Sequence, residues 1–237
     1  MPNTTATRRR ALAGRGQGFT LVELLVTVGI VALLVGLLVP AVASLRRASL
    51  EIRCRSNLRQ MAIALGSYLN TNGEHYPISS HTTGSVSDPS AWMQSLESHG
   101  FAGDVRRCPA DTFALERPTS YATNTYFEPL VAGIDLDPFT GQPLPGGRTT
   151  AVSRLAQVPH PGATFWAVET PGSGLIDHLH SVGWTSSAQI AESVAVERHG
   201  ESSNVLFADG HESPVLWRDL KRNFDSGKNP FDPEAAR

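Results

Sequence analysis

Twenty consecutive residues without a charge, Leu24 to Ala43, constrain this chain more than anything else in it. A helix rising 1.5 Å per residue covers about 30 Å over that length, the hydrocarbon thickness of a bilayer, so one membrane-spanning helix is predicted. Ahead of it, Met1 to Gly18 carries Arg8, Arg9, Arg10 and Arg15 and no acid, as a cytoplasmic flank does. Arg46, Arg47, Arg53 and Arg55 follow the span with only Glu51 against them, so charge counting leaves the orientation open. Ala41-Val42-Ala43 has the form of a signal-peptidase site. The apolar run before it is longer than the roughly 7 to 15 residues of a secretory signal's core, so a plain anchor competes with a cleaved signal peptide. Over all 237 residues, 20 Lys plus Arg against 22 Asp plus Glu give a net charge of −2, with no basic surplus to attract nucleic acid. A content of 41% hydrophobic and 18% charged residues is that of a globular protein and excludes collagen, wholesale disorder and a disulfide scaffold.

Glu23 stands at the edge of the apolar run, where a carboxylate deep in lipid costs about 2 to 3 kcal/mol. Thr20-x-x-Glu23 fits a helix capping box, which is one reason for an acid here. The longer string Gly18-Phe19-Thr20-Leu21-Val22-Glu23-Leu24-Leu25-Val26 resembles the cleavage and methylation segment of type IV prepilins and type II secretion pseudopilins. That resemblance implies a cut after Gly18 by a prepilin peptidase, N-methylation of Phe19, and a helix-kinking role for Pro40. Cleavage creates an ammonium at Phe19 that Glu23 can neutralise, in its own chain or a neighbour's, and such a pair sets axial register between packed helices. Gly29 and Gly36, seven apart, fall on one helix face and permit close approach of another helix.

Past Pro40 the pattern turns amphipathic. Cys54, Leu58, Met61, Ala62, Leu65, Tyr68 and Leu69 follow a three-four spacing, and Asn70-Thr71-Asn72-Gly73 is a stop signal. One helix is therefore expected from Phe19 to Asn70, roughly 75 to 80 Å long, a stalk bearing a head. Cys54-Arg55-Ser56-Asn57-Leu58-Arg59-Gln60-Met61, with Tyr68 and Tyr76-Pro77, resembles a large pseudopilin-like bacterial group. Arg107-Cys108-Pro109-Ala110-Asp111 and the spacing His199-x9-Asp209-Gly210 resemble further signatures of that group, which lend no enzymatic activity.

The rest reads as a compact α+β domain. A short helix is expected with Asp88 as cap and Pro89 at its first position, running through Trp92, Met93 and Leu96 to Gly100. Strands are predicted over Ser120–Phe127, Thr164–Glu169, Ser193–Arg198, Asn204–Phe207 and His211–Leu216, and a last helix over Trp217–Phe224. Gly133 to Gly147 reads as a surface loop, and the tail after Asn229 as mobile.

Both cysteines fall outside the cytoplasm in this topology, where a Cys54–Cys108 disulfide can persist and contribute about 4 kcal/mol through loop entropy. Two small buried residues that never meet is the alternative. His199, Asp209, Gly210 and His211 suggest a cluster, but Asp209-Gly210 reads as a two-residue hairpin turn with both residues at positive φ. His199 then lies about 15 to 20 Å away along the strand, and the His199, Asp209 and Gly210 signature is expected to be structural. Asp177-His178-Leu179-His180 puts two imidazoles on one strand face, the start of a zinc site for which no third ligand is identifiable. Asp135 and Asp137 offer too few oxygens for calcium.

The expected protein is α+β and pilin-like, a long N-terminal membrane-spanning helix packed on a globular head with an antiparallel sheet. Its parts are a leader (1–18), the transmembrane half of the helix (19–43), its amphipathic half (44–70) and an extracytoplasmic head (71–237). The expected function is a structural pseudopilin subunit without catalytic residues, metal or cofactor, processed at Gly18 and Phe19 and assembled with Glu23 and Pro40 into a type II secretion or type IV pilus-like filament. Removing the leader takes the net charge from −2 to −6. Expected partners are a prepilin peptidase, sister pseudopilins, an inner-membrane assembly platform and membrane lipid, with no nucleic acid. The chain is placed in the inner membrane as a single-pass protein, N-terminus cytoplasmic and head in the periplasm or exterior. The alternative is an extracytoplasmic binding or metal-dependent protein, with His178, His180, His199, Asp209 and His211 as candidates, exported by the same route.

Overall fold

The computed structural model describes residues 18–89, 91–130, 133–136, 140–144 and 147–237. Of the expected leader only Gly18 falls among them. The described residues form two units, one ending at Leu45 and the other running from Arg46 to Arg237. Helix α1, Leu21–Thr71, begins in the first unit and ends in the second.

Within the first unit every described residue is exposed, from Gly18 through Leu45. Leu21 is 79% and Leu37 67% accessible, so this part of α1 has an apolar surface on all sides. In water such a surface has a large hydrophobic cost, and a helix of this kind needs lipid or other apolar helices around it. By length and composition it is able to cross a membrane.

The second unit is built on a five-stranded sheet in the order β3-β1-β2-β4-β5. The strands are β1 (Tyr121–Asn124), β2 (Phe165–Glu169), β3 (His178–Leu179), β4 (Ser202–Phe207) and β5 (Glu212–Leu216). All pairs are antiparallel except β1 with β3, which is parallel. Both faces are covered. On one, Cys54, Leu58, Met61, Ala64, Leu65 and Leu69 of α1 pack with Trp92, Phe101, Tyr121, Trp166 and Leu206. On the other, Phe165, Val168, Val205 and Phe207 meet Ile190 of α4 (Ser187–Ser193), Leu220 and Phe224 of α5 (Trp217–Asp225), and Phe231. A register shift between Phe165 and Ala167 lets Trp166 and Ala167 both serve the α1 side while Phe165 and Val168 serve the other. Pro214 sits in edge strand β5, where its missing N–H costs no ladder bond. Arg55 and Arg59 of α1 converge on Glu212 of that edge strand, at 3.1 and 2.7 Å.

Several expectations give way. Ser193–Arg198 is not a strand: α4 runs to Ser193, and a chain of turns follows in which Val194 and Val196 plug the second core layer. The start of α4 was legible, because Ser186-x-x-Gln189 is a capping box and Gln189 Oε1 accepts the Ser186 N–H at 3.1 Å. The helix expected from Asp88 is α3, Trp92–Ser95, with Ala91 as its N-cap; a 3-10 turn then leads to Gly100, whose φ of 100° ends it. The tail is packed rather than loose. Phe231 is fully buried, and its rings of contact are Phe165 at 5.2 Å and Trp184 at 5.0 Å. Helix α2, Ser80–Thr83, had no advance signal.

Candidate functional site

Gly18, Phe19 and Thr20 precede α1 in non-helical, exposed chain, so the Gly18–Phe19 bond lies outside the helix. A Cβ on Gly18 meets nothing within 4 Å, so packing does not require glycine here. Glu23 Oε2 accepts from the Thr20 N–H at 2.9 Å and from Thr20 Oγ1 at 2.8 Å, while the Glu23 N–H donates to Thr20 Oγ1 at 3.2 Å. This is a closed capping box, and it holds the carboxylate one residue from Phe19. Pro40 lies inside α1, which continues through it; lacking an N–H, it leaves the Gly36 carbonyl without its usual donor.

Cys54–Met61 and Arg107–Asp111 meet in the second unit. Cys54 and Cys108 form a disulfide with an S–S distance of 2.07 Å. One turn further along α1, Asn57 donates to the Arg107 carbonyl at 2.7 Å, so the helix motif and the Arg107–Asp111 motif are two halves of one contact. Beside them Asp111 receives Arg117, Ser120 at 2.6 Å and Arg198 at 3.3 Å, all with side chains nearly or fully buried. His199 Nε2 lies 2.9 Å from Glu169 Oε1 and 3.9 Å from Cys108 Sγ. Both thiols being in the disulfide, Cys54, Cys108, Glu169 and His199 have no thiolate with which to hold a metal.

Asp209 and Gly210 are not part of that cluster. They follow β4 while His199 precedes it. The hairpin is a three-residue loop, with Gly210 N–H donating to the Phe207 carbonyl at 3.0 Å and Phe207 N–H to the His211 carbonyl at 2.9 Å. Only Gly210 has positive φ, 89°, which corrects the two-residue turn expected above: Ala208 joins the loop because its side chain is wanted in the core under α1. His211 Nδ1 bonds Asp209 Oδ1 at 2.6 Å and its ring stacks on Phe207 at 4.0 Å. In the loop considered for calcium, the Asp135 carboxylate is taken by the Arg148 guanidinium at 2.9 Å, and Asp137 lies outside the described residues.

His178 of β3 and His180, one residue past its end, do come together, with Nε2 to Nε2 at 3.2 Å. The fold adds a third imidazole, His81 of α2, with ring centroids 5.4 Å from His178 and 5.3 Å from His180. Asp177 Oδ1 lies 2.7 Å from His178 Nδ1, and the same carboxylate accepts from Ser80 N–H at 3.0 Å and Ser80 Oγ at 2.7 Å. Burial pushes the Asp177 pKa up, but the His178 and Ser80 hydrogen bonds outweigh it and leave the carboxyl below its ordinary value. His81 was missed because 97 residues separate it from His178, and nothing in Ser79-Ser80-His81 marks it for a partner.

Residues 15–39 match the family described as the prokaryotic N-terminal methylation motif. No curated protein and no solved structure matches the chain. The matched stretch takes in the Gly18–Phe19 bond, Glu23 and the exposed apolar turns of α1, and it implies processing by a prepilin peptidase and pilin-type assembly partners. The N-terminus of this chain carries the prokaryotic N-terminal methylation motif, which is consistent with a type IV prepilin- or pseudopilin-like protein.

Proposed function

We propose that the chain is a structural pseudopilin subunit, cut after Gly18, methylated on Phe19 and assembled through the apolar turns of α1 into a type II secretion or type IV pilus-like filament. One observation carries this reading: the methylation motif over 15–39 takes in the first turns of a helix whose apolar side chains are exposed all round, with the Gly18–Phe19 bond outside that helix. Packing such helices side by side removes that surface from water or lipid while Glu23 meets the new amine of a neighbour. The N-terminus is inside in this arrangement, and the second unit is in the periplasm or exterior. The Cys54–Cys108 bond supports an oxidising compartment for that unit. Its folded role is to present a surface, with no catalytic step assigned.

Mass spectrometry of the N-terminus of membrane-extracted protein tests the proposal. It requires a chain starting at methylated Phe19, and Gly18→Ala has to leave the precursor uncut although the substitution fits the fold. A wild-type chain that keeps its arginines, or one that starts at Ser44 after signal-peptidase cleavage, overturns it.

A further inference from the structure

We propose that His81, His178 and His180 form a zinc site in the second unit, with three imidazole nitrogens as protein ligands and the fourth position open to solvent. The claim is independent of filament assembly and rests on how α2 and β3 are placed.

The spacing is that of a tetrahedral metal centre. Zinc-to-nitrogen bonds of about 2.0 to 2.1 Å at tetrahedral angles put ligand nitrogens about 3.3 Å apart. His178 Nε2 and His180 Nε2 stand 3.2 Å apart. One ligand atom from each of the three histidines lies within 4.8 Å of the others, so only His81 has to close in. It is exposed, and a side-chain rotation moves its ring without disturbing a core.

The surroundings supply what ligating histidines need. His178 gives its Nδ1 proton to Asp177 at 2.7 Å, which fixes the tautomer with a lone pair on Nε2, facing His180. Asp177 also grips Ser80, the residue before His81, through both N–H and Oγ. Glu128 holds the same turn from its other side, accepting from Ser79 N–H at 2.6 Å and Thr82 Oγ1 at 2.5 Å. One buried carboxylate thus orients one ligand and anchors the turn that carries another. Asp177 and Glu128, both buried, provide two negative charges against a divalent cation bound by neutral imidazoles.

The donor set selects the metal class. Three imidazoles suit zinc and its transition-metal neighbours, whereas calcium and magnesium want oxygen ligands. His81 and His180 also line a cleft of about 520 Å³ with Trp184 and Gln189, which leaves room for water or a small ligand at the fourth position. Three histidines with an exchangeable fourth ligand is an open zinc site and not a closed structural one.

The test uses the full-length chain, purified in detergent without a polyhistidine tag, stripped with chelator and titrated with Zn²⁺. Elemental analysis is expected to give one zinc per chain after dialysis. His81→Ala and His178→Ala are each expected to weaken binding at least a hundredfold, and Asp177→Asn by about 10- to 100-fold as the loss of an orienting carboxylate. His211→Ala, outside the cluster, leaves binding unchanged. Co²⁺ in place of Zn²⁺ is expected to show the intense visible bands of a tetrahedral centre in the wild type, absent from His81→Ala. Circular dichroism and the intact disulfide establish that each variant is folded. Zinc retained equally by a folded His81→Ala, His178→Ala double variant, or no stoichiometric zinc in the wild type, overturns the proposal.

Discussion

Cys54 and Cys108 are bonded to each other directly beneath the point where Asn57 of the same helix reads the Arg107 carbonyl. The covalent and polar links fasten the buried stripe of α1 to the segment leading into β1. A disulfide closing a loop of this length removes enough unfolded-state entropy to contribute about 4 kcal/mol. Cys108→Ser, or reduction under native conditions, is expected to lower the thermal midpoint of the second unit by many degrees without changing processing at Gly18. A melt that is the same with and without reductant contradicts this.

Glu23 caps α1, and the proposed function gives it a second task, meeting a neighbour's amine, which charge separates from the first. Glu23→Gln keeps an acceptor for the Thr20 N–H and so keeps the cap, but it has no charge to offer a neighbour's amine. Both Glu23→Gln and Glu23→Ala are expected to be cut normally and to assemble poorly, as read by crosslinking through α1. If Glu23→Gln forms filaments at the wild-type level, the residue acts as a cap alone.

Asp111 makes stability depend on acid. Burial by itself raises its pKa, yet hydrogen bonds from Ser120 and Arg117 and the charge of Arg198 outweigh that and hold it below the usual carboxylate value. Because the folded pKa is the lower one, its stabilisation is complete above the unfolded value of about 3.9 and is lost as pH falls through the folded value. Melts between pH 7 and pH 3 are expected to show a steep loss below about pH 4. Asp111→Asn is expected to flatten that loss and, by leaving Arg117 and Arg198 without their anion, to cost about 3 to 5 kcal/mol at neutral pH.

Phe231 closes the second core layer from the far end of the chain. Its carbonyl accepts from Asn124 Nδ2 at 2.6 Å, and the neighbouring Pro230 carbonyl accepts the Phe165 N–H at 2.7 Å. Phe231→Ala is expected to cost about 3 to 5 kcal/mol in denaturant unfolding. A tail that served only as a tether gives no measurable loss.

The readable parts were those whose physics is local in sequence. Twenty uncharged residues, a three-four stripe ending in Asn-Gly, and short apolar runs at Phe165–Val168 and Val205–Phe207 each specify an element from within a short window, and α1, β2, β4, β5 and α5 follow. The errors arose where long-range packing decides. Ser193–Arg198 has the valines of a strand, but the second core layer takes them as plugs after a helix. His178–Leu179 becomes a strand only because β1 offers it an edge to pair with.

Sequence alone determined the membrane-competent helix and the methylation motif, because hydrophobic length and a linear recognition string need no tertiary partner. Only the folded chain decided that Cys54 meets Cys108, that His199 answers Glu169 instead of Asp209, and that His81 joins His178 and His180. Those pairings depend on which strands lie side by side and where a four-residue turn is clamped. Such placement results from burying both faces of a sheet at once, and no single stretch of sequence encodes it.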